Sequence, residues 1–321
     1  MDSPSPTPIQ FGAAGWRAVM ARGFTFANVR LATQAVAEHL KGELADGKSP
    51  IRGRAPKVLL AHDCRFLGPQ FALAAAEVLT ANGLTPLLCA GGTPAPVLAR
   101  AIRQRRAIGG IHITAGNSPP EYSGFKFSRW DGAAAPPETT RPIERAIARL
   151  QRENWTFPSV VTGAFQAKTL DPKPDYFKQL EKLVDFSAIK KAKLKIAVDL
   201  MSGCGRGYLD TLLRRAGARL TVFHDSSDAF FGGHPPEPGA GNLAEMRQAV
   251  RGGRAQLGLA TDGDAEGFVV VNQDGTLLTK SQIRTLMHYQ FKKNRGVGGE
   301  ESGGLSLKGN AFRKFPWVLT A

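Results

Sequence analysis

Three carboxylates at alternate positions form the first candidate site in this sequence. Asp262, Asp264 and Glu266 are separated by single small residues, so their oxygens can turn toward one point. Hard divalent cations such as Mg²⁺ require oxygen ligands of this kind. The group follows a predicted strand over residues 256–260, at the edge where parallel sheets place their ligand sites. A solvated acidic turn has the same pattern, and the residues alone leave both interpretations open.

Two further segments could bind a ligand. Residues 298–304 form a glycine-rich turn in which Glu300 and Ser302 can hydrogen-bond sugar hydroxyls. Such turns are common, so this one does not identify its ligand by itself. Residues 114–126 begin at the carboxyl end of another predicted strand, over residues 108–114, which is again the expected position of a ligand loop.

Alternating strands and helices must position these loops. Apolar runs between Gly, Pro and Asp predict strands, and apolar residues at near-helical spacing predict helices. The strands are predicted at 57–61, 84–89, 108–114, 194–200, 219–223 and 256–260, and the helices at 27–44, 71–81, 96–105, 138–152, 207–216, 243–250 and 281–293. We also predict a hairpin of residues 268–271 and 276–278, and a surface loop over 231–242. Strands that are apolar throughout and separated by helices indicate α/β units with mixed, mostly parallel sheets flanked by helices.

The three loops together resemble those of the phosphohexomutases, the phosphoglucomutase/phosphomannomutase family. Residues 114–126 resemble its active-site loop, which reads Thr-Ala-Ser-His-Asn-Pro and whose Ser carries the transferred phosphoryl group. In this chain Gly116 occupies the Ser position. The acidic turn resembles the family's metal loop, Asp-Gly-Asp-x-Asp-Arg, with Glu266 for the third Asp and Gly267 for the Arg. Residues 298–304 resemble the family's sugar-specificity loop.

The resemblance implies a role for each matching residue. Arg17 matches an arginine that faces the active site, and Lys126 matches a lysine near the reacting oxygen that helps proton transfer. Glu300 and Ser302 take the sugar-contact positions. The three carboxylates of the acidic turn would bind Mg²⁺, and residues 63–65 resemble the family's Asp-x-Arg turn.

The activity implied is that of an isomerase in carbohydrate metabolism, an intramolecular phosphotransferase. Such an enzyme moves a phosphoryl group between O1 and O6 of a glucose or mannose phosphate through a hexose 1,6-bisphosphate. Gly116 has no hydroxyl, so we expect this activity to be impaired. Ser118 is a possible substitute. It lies two residues beyond position 116, however, and each extended residue spans ~3.3 Å. A misplacement of only 1 Å can cost ~100-fold in rate.

The resemblance also predicts the domain organisation. Residues 8–152 would form domain I with the active-site loop, and residues 165–266 domain II with the metal loop. Residues 267–321 would be a remnant of domain III that carries the sugar loop. We expect the third domain to be truncated and the fourth, with its phosphate-binding loop, to be absent.

Composition restricts the class of protein. The net charge of +15 favours phosphate-bearing partners, but no nucleic-acid motif is recognisable, so sugar phosphates are preferred to nucleic acid. No apolar run is long enough to cross a membrane. The three widely spaced cysteines, Cys64, Cys89 and Cys204, predict reduced thiols and a cytoplasmic location. His112, between two isoleucines, is predicted to be a packed core residue.

Three hypotheses therefore stand beside one another. The chain is an impaired mutase, or one that uses Ser118 in place of the missing serine. Alternatively, it is a non-catalytic protein that binds sugar phosphate and Mg²⁺. The third hypothesis is a decayed paralogue whose incomplete third domain leaves apolar surface exposed.

Overall fold

The fold is known from a computed structural model of the chain. The structure describes residues 9–12, 15–51, 55–157, 167–290, 297–299 and 305–307. Two sheets with helices on both faces account for most of this part of the chain. The α/β class with mixed, mostly parallel sheets is confirmed.

The first sheet has six strands in the order β1-β5-β4-β2-β3-β6. Its strands are β1 (Trp16–Val19), β2 (Lys57–His62), β3 (Thr85–Gly92), β4 (Gly109–Ile113), β5 (Tyr122–Arg129) and β6 (Lys168–Leu170). The pairs β4-β2, β2-β3 and β3-β6 are parallel, whereas β5 runs antiparallel to both of its neighbours. β2 and β4 are apolar and buried because helices cover both faces of the sheet.

Four helices cover this sheet. They are α1 (Phe26–Ala45), α2 (Gly68–Ala81), α3 (Ala95–Gln104) and α4 (Pro137–Arg152). The α1 helix begins after Thr25, whose hydroxyl accepts a hydrogen bond from Asn28 N, and the other three carry Pro in their first turn, where no backbone donor is lost. Apolar side chains of α1, α2 and α4 share one core, and those of α3 pack on the opposite face.

The second sheet has four strands in the order β10-β9-β7-β8. Its strands are β7 (Lys195–Asp199), β8 (Arg219–Phe223), β9 (Leu257–Thr261) and β10 (Phe268–Val271). The helices of this region are α5 (Lys173–Leu180), α6 (Phe186–Ala192), α7 (Leu209–Arg215) and α8 (Ala244–Arg251). The first three pack on one face of the sheet and α8 packs on the other.

The last described elements are short. A helix, α9, spans Lys280–Gln290, and β11 (Val297–Gly299) pairs antiparallel with β12 (Leu305–Leu307). The predicted hairpin of residues 268–278 is present, with β10 as its first strand, but its second strand is reduced to an antiparallel bridge between Val271 and Leu277 and a backbone hydrogen bond from Leu278 N to Val270 O. The Asp274 side chain accepts from Thr276 N at 2.9 Å, so this backbone donor serves the turn instead of a ladder. Among the described residues, no helix combines the length and apolar character that a membrane span needs.

The loops of the two sheets meet at their carboxyl ends. Ala95 N, at the start of α3, donates to Asp264 O at 2.9 Å, and the hydroxyl oxygen of Thr114, where β4 ends, lies 3.1 Å from Asp264 Oδ2. The acidic turn after β9 therefore lies against the first sheet, where the loop after β4 begins.

Candidate active site

The loop over residues 114–121 begins where β4 ends, in the middle of the first sheet. The buried Thr114 hydroxyl donates to Asp63 Oδ2 at 2.7 Å and accepts from Gly116 N at 3.0 Å. The same hydroxyl oxygen lies 3.1 Å from Asp264 Oδ2. Thr114 therefore joins a carboxylate of each sheet to the loop between them.

Arg65 supports this loop from beneath, a role that sequence analysis did not assign. Its fully buried guanidinium pairs with Asp63, with Nε 3.0 Å from Oδ2. The two terminal nitrogens donate to four loop carbonyls at 2.6–3.0 Å, those of Gly116, Ser118, Pro119 and Tyr122. A rigid guanidinium fork suits this task better than a lysine would. The signal available in the sequence was an Asp-x-Arg turn directly after a buried apolar strand.

Position 116 lies between a cation and a carboxylate. Gly116 has a φ of +59°, and a Cβ built on it would lie 3.2 Å from Arg17 Nη2 and 3.8 Å from Asp264 Oδ2. A side-chain hydroxyl at this position would lie close to both the Arg17 guanidinium and the Asp264 carboxylate. The Ser118 hydroxyl accepts from Arg17 Nη1 at 2.9 Å, so it lies on the cation side of the same site.

Lys126 bridges two carboxylates of the acidic turn. It lies on β5 opposite His112 of β4, and its Nζ donates to Asp264 Oδ2 at 2.6 Å and to Glu266 Oε2 at 3.0 Å. The Lys126 side chain is 15% exposed and that of Asp264 1%, so water screens their attraction little. Burial alone would lower the pKa of Lys126, but Asp264 and Glu266 outweigh it and raise that pKa above its ordinary value. Burial opposes the charge of Asp264 too, yet Lys126 holds the pKa of this carboxyl well below its usual range.

Asp262 belongs to the same turn, but its carboxylate does not bond Lys126. Its Oδ1 accepts from Glu266 N at 2.9 Å. A Cβ on Gly267 would lie 2.8 Å from its Oδ2, so the glycine leaves room for this carboxylate. Burial, followed by the charge of Asp264, raises the pKa of Asp262 well above its ordinary value. Within the described ranges, no three His, Cys, Asp or Glu side chains are arranged to hold one metal ion together.

His112 is buried, as predicted, with 2% exposure. Neither ring nitrogen has a hydrogen-bond partner among the described residues. Burial lowers its pKa to about 4, so the ring is neutral at pH 7.

A cleft of about 480 Å³ contains these groups, a size that suits a small phosphorylated ligand. The predicted residues that line it are Arg17, Gly116, Lys126, Asp262, Asp264 and Glu266. Glu237 and Lys280 line it as well, although sequence analysis did not select them. Ser118 is connected to the site by the hydrogen bond that its hydroxyl accepts from Arg17. Glu300 and Ser302 lie outside the residues that the structure describes.

Two domain models of one family match this chain. The model for phosphoglucomutase/phosphomannomutase, alpha/beta/alpha domain I, matches residues 8–154, and that for alpha/beta/alpha domain II matches residues 174–275.

Individual relatives agree with this assignment. A protein of Methanothermobacter thermautotrophicus, described as a probable phosphoglucosamine mutase, is 31% identical over 91% of this chain and 59% of its own length. One of Methanosphaera stadtmanae with the same description is 31% identical over 75% of this chain and 52% of its own length. A crystal structure from Thermus thermophilus, described as a phosphomannomutase, superposes with a TM-score of 0.78 at 31% identity and covers 90% of this chain and 63% of its own. The chain thus spans between half and two thirds of the length of these relatives.

Proposed function

The chain belongs to the phosphoglucomutase/phosphomannomutase family, and we propose that it binds hexose phosphates in the cleft between its two sheets without completing phosphoryl transfer. The ligands are a glucose or mannose phosphate and the hexose 1,6-bisphosphate. The impaired step is the transfer between O1 and O6 through an enzyme-bound phosphoryl group.

The geometry of position 116 carries this proposal. The family resemblance assigns the phosphoserine to this position, and the loop still directs it toward Arg17 and Asp264. Glycine has no atom that can form a phosphate ester, so no phosphoryl group can be held there. Hydrogen bonds to Arg65 and Thr114 hold the backbone of Gly116 in this conformation. The change therefore removes the nucleophile and leaves its setting in place.

Arg17 is the group best suited to bind a phosphate in the cleft. Within the described ranges, its Nη1 bonds only the neutral Ser118 hydroxyl, and its buried Nε has no partner. Lys126 is different, because two carboxylates already neutralise it. A charge-assisted bond contributes about 1.5–3 kcal/mol, so Arg17→Ala should weaken bisphosphate binding by roughly 10- to 100-fold.

The acidic turn supplies the oxygen ligands that a hard cation requires. It supplies three carboxylates within five residues, and the raised pKa of Asp262 reflects burial and a repulsion that a cation would relieve. Asp262, Asp264 and Glu266 would hold Mg²⁺, which offsets negative charge on a phosphoryl group when bound. Lys126 must first release Asp264 and Glu266, so we expect weak binding of the ion.

Ser118 supports a second candidate function, a mutase with a displaced nucleophile. Its hydroxyl is held by the same guanidinium that faces position 116. Among the residues that the structure describes, however, Arg17 is its only side-chain partner, and no hydrogen bond links it to the carboxylates of the acidic turn.

Two measurements on the whole chain separate these functions. Calorimetric titration with glucose 1,6-bisphosphate should give saturable binding that Arg17→Ala weakens and that the exposed Arg22→Ala leaves unchanged. Intact mass and phosphopeptide mapping after incubation with the bisphosphate and Mg²⁺ should detect no added phosphoryl group. A phosphoryl group on Ser118 would establish the second candidate. The absence of both binding and phosphorylation would leave the decayed paralogue.

A further inference from the structure

Two cysteines that are 140 positions apart meet at the junction of the two sheets. Cys64 follows β2 and Cys204 follows β7, and their Sγ atoms are 3.8 Å apart. Both are free thiols, as is Cys89. We propose that Cys64 and Cys204 are an oxidation site, at which a hydroperoxide converts the two thiols into a reversible intramolecular disulfide.

The local packing accommodates this bond. A disulfide has an S–S distance of about 2.05 Å, so the sulfurs must approach by roughly 1.8 Å. Gly92 adjoins both of them, since a Cβ built there would lie 3.0 Å from Cys64 Sγ and 3.3 Å from Cys204 Sγ. A side chain at position 92 would compress the pair, and glycine leaves both sulfurs the room to move.

The two thiols have unequal environments, which suits a two-step oxidation. Cys64 is partly exposed, whereas Cys204 is 2% exposed. The hydrogen bond between the two thiols lowers the pKa of Cys64 against the effect of burial, and Arg206 acts in the same direction. Cys64 is therefore the thiol that a peroxide reaches first, and Cys204 is the resolving thiol.

A hydroperoxide is the only oxidant that this reaction needs. The Cys64 thiolate attacks the outer peroxide oxygen and breaks the O–O bond, which gives a sulfenic acid and releases an alcohol, or water from hydrogen peroxide. Cys204 then attacks the Cys64 sulfur, the S–S bond forms and the hydroxyl leaves as water. The two sulfurs lose two electrons and the peroxide gains them. A dithiol reverses the reaction by exchange.

The bond would connect two loops that support the walls of the cleft, the one after β2 and the one after β7. Cys64 lies between Asp63 and Arg65, which support the loop containing Gly116. The Cys204 backbone is bonded to Gly263 in the acidic turn. Oxidation would therefore tie the loop after β2 to the loop after β7, which is hydrogen-bonded to the acidic turn, and we expect it to change the affinity of the cleft for a phosphorylated ligand.

The test uses the full chain, reduced, then treated with hydrogen peroxide and blocked with N-ethylmaleimide. Non-reducing peptide mapping should show the peptide containing Cys64 linked to that containing Cys204, with one thiol, Cys89, left to alkylate after denaturation. Dithiothreitol should restore all three. The matched control Cys89→Ser should keep the link.

Cys64→Ser and Cys204→Ser should each abolish the link, and they report different steps. Cys204→Ser should accumulate the Cys64 sulfenic acid, which a dimedone probe traps. This is a gain of signal, so a variant that merely fails to form the disulfide because it is misfolded can be told apart. Over-oxidation of Cys64 without a link in the wild-type chain would overturn the proposal. Disulfides only between separate chains would overturn it as well. Neither result depends on sugar binding, so the proposed function is tested separately.

Discussion

Restoring a hydroxyl at position 116 tests whether the missing atom alone prevents phosphoryl transfer. A Cβ at this position would lie between Arg17 Nη2, at 3.2 Å, and Asp264 Oδ2, at 3.8 Å. A serine hydroxyl would therefore stand where a phosphate ester meets both the guanidinium and the acidic turn. We expect Gly116→Ser to accept one phosphoryl group from glucose 1,6-bisphosphate, whereas the wild-type chain accepts none.

The cost of this substitution can be worked out from the backbone. Gly116 has a φ of +59°, a left-handed conformation that costs a residue with a side chain about 1–2 kcal/mol. The 3.2 Å contact is with the end of the flexible Arg17 side chain, which can move by a few tenths of an ångström. At about 2–4 °C per kcal/mol, the thermal midpoint should fall by several degrees and the fold should persist.

Gly116→Ala is the matched control, because it has the same backbone strain and the same Cβ without the hydroxyl. It should lose as much stability as Gly116→Ser and remain unphosphorylated. The assay is intact mass with mapping of the peptide over residues 114–126, repeated with Ser118→Ala to exclude transfer to Ser118. If Gly116→Ser binds the bisphosphate as the wild type does and stays unphosphorylated, the reasoning from position 116 is refuted.

Three further predictions concern the charged groups of the site. Arg65→Lys keeps the charge but loses the guanidinium fork, so the free energy of unfolding in urea should fall by about 3 kcal/mol. Asp262 has a raised pKa when folded, so its contribution to stability is fully present below about pH 4 and is lost as the pH rises through the folded value. Asp262→Asn should then be more stable than the wild type at pH 7, on the order of 1 kcal/mol. Its free energy of unfolding in urea should also change less between pH 4 and pH 8 than that of the wild type. Lys126→Met frees Asp264 and Glu266, so Mn²⁺ binding measured by electron paramagnetic resonance should tighten about tenfold or more.

Each of these predictions has a result that contradicts it. An Arg65→Lys chain as stable as one carrying the exposed Arg22→Lys control would show that the loop carbonyls find other donors. An unchanged pH dependence in Asp262→Asn would place its pKa near the ordinary value. Unchanged Mn²⁺ affinity in Lys126→Met, in a chain with native circular dichroism, would show that the lysine does not compete with the ion.

Much of the fold could be predicted because its elements are locally encoded. The β2, β3 and β4 strands are apolar runs between turn residues, and α1 has apolar residues at helical spacing. The β5 strand was not predicted. It mixes glycine, aromatic and charged residues, and it is a strand because it pairs with both β4 and β1.

The sequence by itself determined the family and the absence of a hydroxyl at position 116. These are covalent properties, and the family's loops are contiguous in the chain. Only the tertiary structure decided that Lys126 neutralises Asp264, 138 positions away, that Arg65 supports the loop, and that Cys64 meets Cys204. Such contacts depend on closing long loops and packing one sheet against the other, and no local pattern of residues encodes them.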